Sequence, residues 1–148
     1  MKYVIVAMKA IFENDFQLDS DVVTYVKDGY EAVRAVERNL KDTDKDDYRP
    51  YSLLILDYNM PFMNGLTVVD QVSLVCLTQG KLYPPFFMMQ TSNQETDFRE
   101  RCIREGVDFF AEKPAKVENL AKVLLKLEII REKKRDSQGH TIPITNNS

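Results

Sequence analysis

Apolar residues along the chain alternate between two kinds of run. Leu53, Leu54, Ile55 and Leu56 form a continuous block without helical period, the pattern of a short parallel strand covered on both faces. Asp21 to Val26 reads as another strand. Elsewhere the apolar positions return every three or four residues, the period of a helix with one buried face. Ala32, Val33, Val36 and Leu40 mark a helix over Tyr30 to Leu40, and Val68, Val69, Val72 and Val75 a second over Leu66 to Leu77. A third runs from Glu95 to Glu105 and stops at Gly106, the residue type that closes helix C-termini. The last runs from Val117 to about Glu132, with Leu120, Val123, Leu124, Leu127 and Ile130 facing inward. Strand and helix in alternation predict an α/β fold built on a doubly wound parallel sheet.

The connections are polar. KDTDKDDYRP sets Asp42, Asp44 and Asp46 at the spacing that opens a calcium loop. Its sixth position is Asp47 where such loops need glycine, and its twelfth is Leu53 where they need glutamate, so it reads as a solvated insertion. TQGKLYPP is a turn-rich link, and DSQGHTIPITNNS has no periodicity. The expectation is one domain over residues 1–132 and a disordered tail over 133–148.

Composition narrows the function classes. With 148 residues, 44% of them hydrophobic, the chain can bury one core. Its net charge of -3 argues against nucleic-acid binding, which needs a concentrated basic face. The one basic cluster, REKKR over Arg131 to Arg135, fits a solvated helix end. Cys76 and Cys102 are too far apart to suggest a zinc or redox motif and read as reduced, partly buried residues. No signal peptide pattern opens the chain and no apolar run is long enough to span a membrane, which predicts a cytoplasmic protein. The sole histidine, His140, lies in the tail, so the chain is neither a histidine phosphodonor nor a Ser-His-Asp hydrolase.

The densest chemistry is in YSLLILDYNMPFMNG, Tyr51 to Gly65. The apolar strand ends at Asp57, and the carboxyl ends of parallel strands are where open α/β sheets hold their sites. Pro61 and Gly65 make Tyr58 to Asn64 a tight loop above that end. Taken singly, an aspartate after a strand is a turn or helix cap, Lys113-Pro114 a loop, and Thr91 a helix cap.

Their joint order says more. LILDYNMPFMNG resembles the phosphoacceptor segment of the receiver domain of two-component response regulators. FFMMQTSN, Phe86 to Asn93, is similar to that family's fourth strand, and GVDFFAEKPAKVENL to its fifth strand and Lys-Pro pair; together they cover most of residues 22 to 130. The resemblance implies a flavodoxin-like receiver fold with strand order 2-1-3-4-5. It implies a non-enzymatic phosphoacceptor in which Asp57 is the nucleophile, Lys113 the cation on the acyl phosphate, and Thr91 the hydroxyl donor. Pro114 would aim Lys113, and Phe110 would change rotamer as the output switch. The family also implies Mg2+, held here by Asp57, the Asn59 backbone carbonyl and two adjacent acids at the end of the first strand. A histidine kinase or histidine phosphotransfer protein would be the donor. Helix 95–105, strand 107–111 and helix 117–132 would form the face toward a downstream effector.

The chain departs from that pattern at its start. The first acidic residue is Glu13, preceded by MKYVIVAMKAIF, so the acidic pair is absent. In one register Lys2 to Ala7 is the opening strand, YVIV being rich in β-branched residues, and Met8 and Lys9 take the acidic positions. In the other, Tyr3 to Phe16 is a helix with Ile5, Met8, Phe12 and Phe16 on one face. The resemblance implies a long helix between the acidic pair and the turn here at Asp28-Gly29 and so favours the helix register, which leaves the first strand missing or degenerate and suggests a chain starting inside the domain. The functional expectation is a phosphorelay receiver, phosphorylated on Asp57 and switching its output face. The alternative is a phosphorylation-independent pseudo-receiver that acts by docking, or an inactive fragment of a hybrid histidine kinase. An unrelated flavodoxin-like or nucleotide-binding enzyme has no glycine-rich phosphate loop to support it.

Overall fold

The computed structural model describes residues 3–6, 16, 18, 22–43, 50–81, 84–113, 115–128, 134–135 and 141–142, with 3–6, 134–135 and 141–142 as backbone only. A five-stranded parallel sheet runs in the order β2-β1-β3-β4-β5. Its strands are β1 (Tyr3–Val6), β2 (Val23–Tyr25), β3 (Tyr51–Asp57), β4 (Phe86–Thr91) and β5 (Phe109–Glu112). The described helices are α1 (Gly29–Lys41), α2 (Gly65–Thr78), α3 (Thr96–Arg104) and α4 (Val117–Lys126).

The apolar blocks of β3 and β4 are continuous because both faces of the sheet are covered. Leu54, Leu56, Phe87 and Met89 point to one face and pack on α1, α2 and Cys102 of α3. Leu53, Ile55 and Met88 point to the other and meet Leu120, Val123 and Leu124 of α4. Alternate residues of a strand serve opposite layers, so no polar side chain fits in the middle of β3. Asp108 locks β5 to β4, because its N–H donates to the Phe87 carbonyl while its Oδ2 accepts from the Phe87 N–H, each at 2.9 Å.

The start of the chain corrects the helix register that spacing favoured. Tyr3–Val6 is a strand, paired with β2 through Val4, Ile5 and Val6 and with β3 through Ile5↔Leu54 and Val6↔Ile55. The first strand is therefore present, though only four residues long. Sheet order explains why it forms: without it β2 and β3 would each bury an unpaired edge, and orphaned backbone groups cost more than the helical propensity of these residues returns. The remainder of the proposed helix, with Met8, Lys9 and Phe12, lies outside the described residues, as do six positions of the KDTDKDDYRP insertion, 44–49.

Other boundaries move less. The last helix ends at Lys126 instead of near Glu132, because Glu128 takes φ 58 and its N–H turns back to the Leu125 carbonyl at 3.0 Å; Ile130 is outside the described residues. Gly106 closes α3 at φ 110 as expected of it. The strand anticipated at 107–111 is β5, displaced toward its C-terminus to Phe109–Glu112. Within the tail expected to lack structure, Lys134–Arg135 pair antiparallel with Thr141–Ile142.

The strand register makes a prediction that a helix would not. The first four N–H groups of a helix have no intrahelical partner, whereas a central strand uses its amides in ladders. Amide hydrogen exchange is expected to find Val4, Ile5 and Val6 protected to near the level of Leu54. Exchange there at the rate of a free chain would contradict the register.

Candidate functional site

Three strands deliver the candidate residues to one end of the sheet. Asp57 is the last residue of β3, Thr91 the last of β4, and Lys113 follows β5 directly. The register holds Asp57 beside Gln90, and Thr91 beside Glu112. Lys113 reaches across β4 and its ammonium pairs with Asp57 Oδ1. Both partners keep some solvent contact, with side-chain exposures of 21% for Asp57 and 31% for Lys113. The same Oδ1 accepts from the Asn59 N–H at 2.9 Å. Among the described residues Oδ2 has no hydrogen-bond partner, so the two carboxylate oxygens are held differently there.

The loop above Asp57 is built by local chemistry. The Tyr58 N–H donates to the Gln90 carbonyl at 3.0 Å, and the Gly65 N–H returns to the Tyr58 carbonyl at 2.9 Å. Between them Pro61 sets up a γ-turn, in which the Met63 N–H meets the Pro61 carbonyl at 2.8 Å and Phe62 sits at φ 68. Positive φ is costly for a bulky residue, and Phe62 lies at the tip with 88% exposure. Asn64 caps α2 by accepting from the Thr67 N–H at 2.9 Å. Gly65 is required by close approach. A Cβ there would stand 2.5 Å from Met89 Sδ and 3.0 Å from the Asp57 carbonyl oxygen.

The remaining candidates are placed as follows. Thr91 is 3% exposed, and its Oγ1 accepts from the Asn93 N–H at 3.1 Å; no direct hydrogen bond joins it to Asp57. Phe110 is half-buried in β5 with the Arg99 guanidinium 5.1 Å from its ring centre. Pro114 lies outside the described residues. Sequence reasoning passed over Arg99, and also the edge-to-face pair of Tyr58 and Phe98 at 4.9 Å, which ties the loop after Asp57 to α3. It also passed over Gln90, buried at 2% exposure; the signal was one amide interrupting the run FFMMQT.

Among the described residues the donor set does not fit the cation that the family resemblance implied. Among the described residues no three His, Cys, Asp or Glu side chains are arranged to hold a metal ion. With β1 ending at Val6, the next positions are Ala7, Met8 and Lys9, and a thioether and an ammonium offer no oxygen to a hard divalent ion. The two cysteines are also poor candidates for reactive groups. Both are free and buried, and burial pushes each thiol up from its ordinary value, with Glu105 adding to the effect at Cys102. Cys76 lines a cavity of about 340 Å³ with Leu40, Tyr51 and Phe86, at the amino ends of the strands and away from Asp57. No helix of the described residues is long and apolar enough to cross a membrane.

Known proteins share this fold. The sequence model of the response regulator receiver domain matches residues 3–125. Among curated proteins, Histidine protein kinase 1 of Candida albicans is 27% identical over 104 residues, 70% of the chain. The Hybrid signal transduction protein dokA of Dictyostelium discoideum is 31% identical over 123 residues, 83% of the chain. The chain spans only 4% and 7% of the lengths of these two. Among solved structures, the receiver domain of the Saccharomyces cerevisiae response regulator Ssk1, crystallised with the histidine phosphotransfer protein Ypd1, has a TM-score of 0.66 at 16% identity, covering 86% of this chain and 88% of that one. The receiver domain of the Arabidopsis thaliana histidine kinase CKI1, complexed with Mg2+ and BeF3-, has a TM-score of 0.63 at 21% identity, covering 87% and 91%.

The buried thiols yield a simple check on the site chemistry. Raised thiol pKa values keep both groups protonated near pH 8, and only thiolates attack disulfide reagents at a useful rate. Folded protein is expected to react slowly with a thiol-specific disulfide, and unfolded protein to titrate both cysteines at once. Fast reaction of either in the folded state would contradict the packing described.

Proposed function

The chain belongs to the response regulator receiver domain family, and on that premise we propose that it is a phosphorelay receiver in which Asp57 accepts a phosphoryl group. The observation that carries this reading is the asymmetry of the Asp57 carboxylate, one oxygen held by Lys113 and the Asn59 N–H and the other unpartnered among the described residues. Oδ2 attacks the phosphorus of a phosphohistidine, the P–N bond breaks with its electron pair passing to the imidazole nitrogen, and an acyl phosphate forms. Transfer of this kind is mostly positioning and charge stabilisation. Lys113 offsets the charge on the phosphoryl oxygens. The Thr91 oxygen already accepts from the Asn93 N–H, so its own proton is available to a phosphoryl oxygen. Inward movement of Thr91 would draw Phe110 with it, and the change would reach α3, β5 and α4, the face offered to an effector.

The donor is a histidine kinase or a histidine phosphotransfer protein. The kinase and hybrid signalling relatives support this, as does the neighbour solved with a phosphotransfer protein. The reading places the chain in the cytoplasm and gives it no catalytic turnover of its own. A second reading follows from the cation donors that do not fit: the chain acts as a pseudo-receiver that docks without being phosphorylated, alone or as part of a hybrid kinase.

Acetyl phosphate distinguishes the two. The wild-type chain is expected to gain one phosphoryl mass, with little dependence on added MgCl2, and Asp57→Asn to gain none. Lys113→Ala should slow the gain by about 10²-fold, the usual effect of removing one charge-stabilising donor. A folded wild-type chain that gains no mass under any condition would leave the docking reading.

A further inference from the structure

Gln90 has a property that the phosphoacceptor reading does not use. It is 2% exposed, and its Oε1 is buried without a hydrogen-bond partner. Buried carbonyls are nearly always satisfied, and one left orphaned is destabilising. An apolar residue at this position would avoid that cost, as Met88 and Met89 do just before it.

The strand register shows where the orphan sits. Asp57, Gln90 and Ala111 form one row across β3, β4 and β5. Parallel neighbours in register point to the same face, and Ala111 packs there with Leu53 and Ile55, the alternate residues that lead to Asp57. Lys113 is two residues beyond Ala111 on that face, and its ammonium crosses β4 to reach Asp57. The ion pair therefore spans the strand that carries Gln90.

We propose that Gln90 is a positioning residue for Lys113, its side-chain carbonyl receiving the ammonium when the Asp57 carboxylate loses its charge. An ammonium has three donors and no acceptor, and in the resting chain the charged Oδ1 outcompetes a neutral amide oxygen. Once Oδ2 carries a phosphoryl group, Oδ1 is the neutral carbonyl oxygen of an acyl phosphate and holds the ammonium less strongly. Gln90 Oε1 then anchors it on the inner side, so that its other N–H groups face the phosphoryl oxygens. The orphaned acceptor is the counterpart of a contact made only in the second state. This role rests on the phosphoacceptor reading for its purpose but not for its test, because Asp57→Asn removes the same charge without phosphorylation.

The test is a double-mutant cycle of Gln90→Met and Lys113→Met, read by denaturant unfolding in the wild-type and Asp57→Asn backgrounds. Coupling is expected to be negligible in the first and about fivefold or more in the folding equilibrium constant in the second, within the range seen for residues in contact. Gln90→Glu, which keeps an acceptor and loses the donor, should retain the coupling; its loss in that variant would overturn the acceptor role. The Lys113 Cε chemical shift provides a second readout if a variant unfolds too early for the cycle. In the Asp57→Asn background it should move on Gln90→Met, and a purely structural glutamine would leave it in place. Additivity in both backgrounds, or an unmoved shift, overturns the proposal whatever acetyl phosphate does. A wild-type chain that gains no phosphoryl mass from acetyl phosphate while the coupling is present ends the phosphoacceptor reading alone.

Discussion

The contact between the Lys113 ammonium and Asp57 Oδ1 is the interaction on which the site depends, and it is a product of sheet register. The two residues are 56 positions apart in sequence and meet because β3, β4 and β5 are parallel, adjacent and in step. A slip of one residue in either ladder would turn Asp57 or Lys113 to the opposite face. The register is in turn fixed by burial on both sides: Leu53 to Leu56 and Phe87 to Met89 leave no alternative alignment that keeps every apolar side chain inside. The core thus does more than stabilise the domain. It sets the distance between a carboxylate and its counter-charge.

The surroundings of Asp57 follow from the same geometry. Helix α2 begins where the loop from β3 can return, and the missing Cβ of Gly65 lets it pass close to Met89 and the Asp57 carbonyl. Its N-terminus, capped by Asn64, directs a positive dipole end toward the carboxyl edge of the sheet, where negative charge is favoured. The Tyr58–Phe98 ring contact and the Arg99 guanidinium over Phe110 connect the loop and β5 to α3. A change in charge at Asp57 therefore has packed neighbours on two elements through which to act. The alternation of apolar layers covers both faces of the sheet and holds these groups in place.

Much of this was legible in the chain, and the failures have physical causes. The block Leu53 to Leu56 could only be a doubly covered strand, and Asp57 at its end followed. The order of Asp57, Thr91 and Lys113 carried the resemblance, and the fold agrees with the strand order it implied. The opening segment misled because YVIVAMKAIF satisfies both periods: β-branched residues favour a strand, while Ile5, Met8 and Phe12 share a helical face. The choice is made by the unpaired edges of β2 and β3, which are remote in sequence. The length of α4 was overstated since the apolar spacing continues to Ile130, and the left-handed turn at Glu128 leaves no mark in composition. Gln90 was overlooked for a related reason: a polar residue in an apolar run looks like noise until the register sets it beside Asp57.

Phosphotransfer from a histidine donor tests the central claim most directly. A histidine phosphotransfer protein carrying radiolabelled phosphohistidine would be mixed with the wild-type chain and with Asp57→Asn, and the label followed with time. The account predicts that label passes to the wild-type chain as an alkali-labile acyl phosphate and not to the variant. Label that stays on the donor in the presence of folded wild-type chain, or that passes equally to both chains, would contradict it.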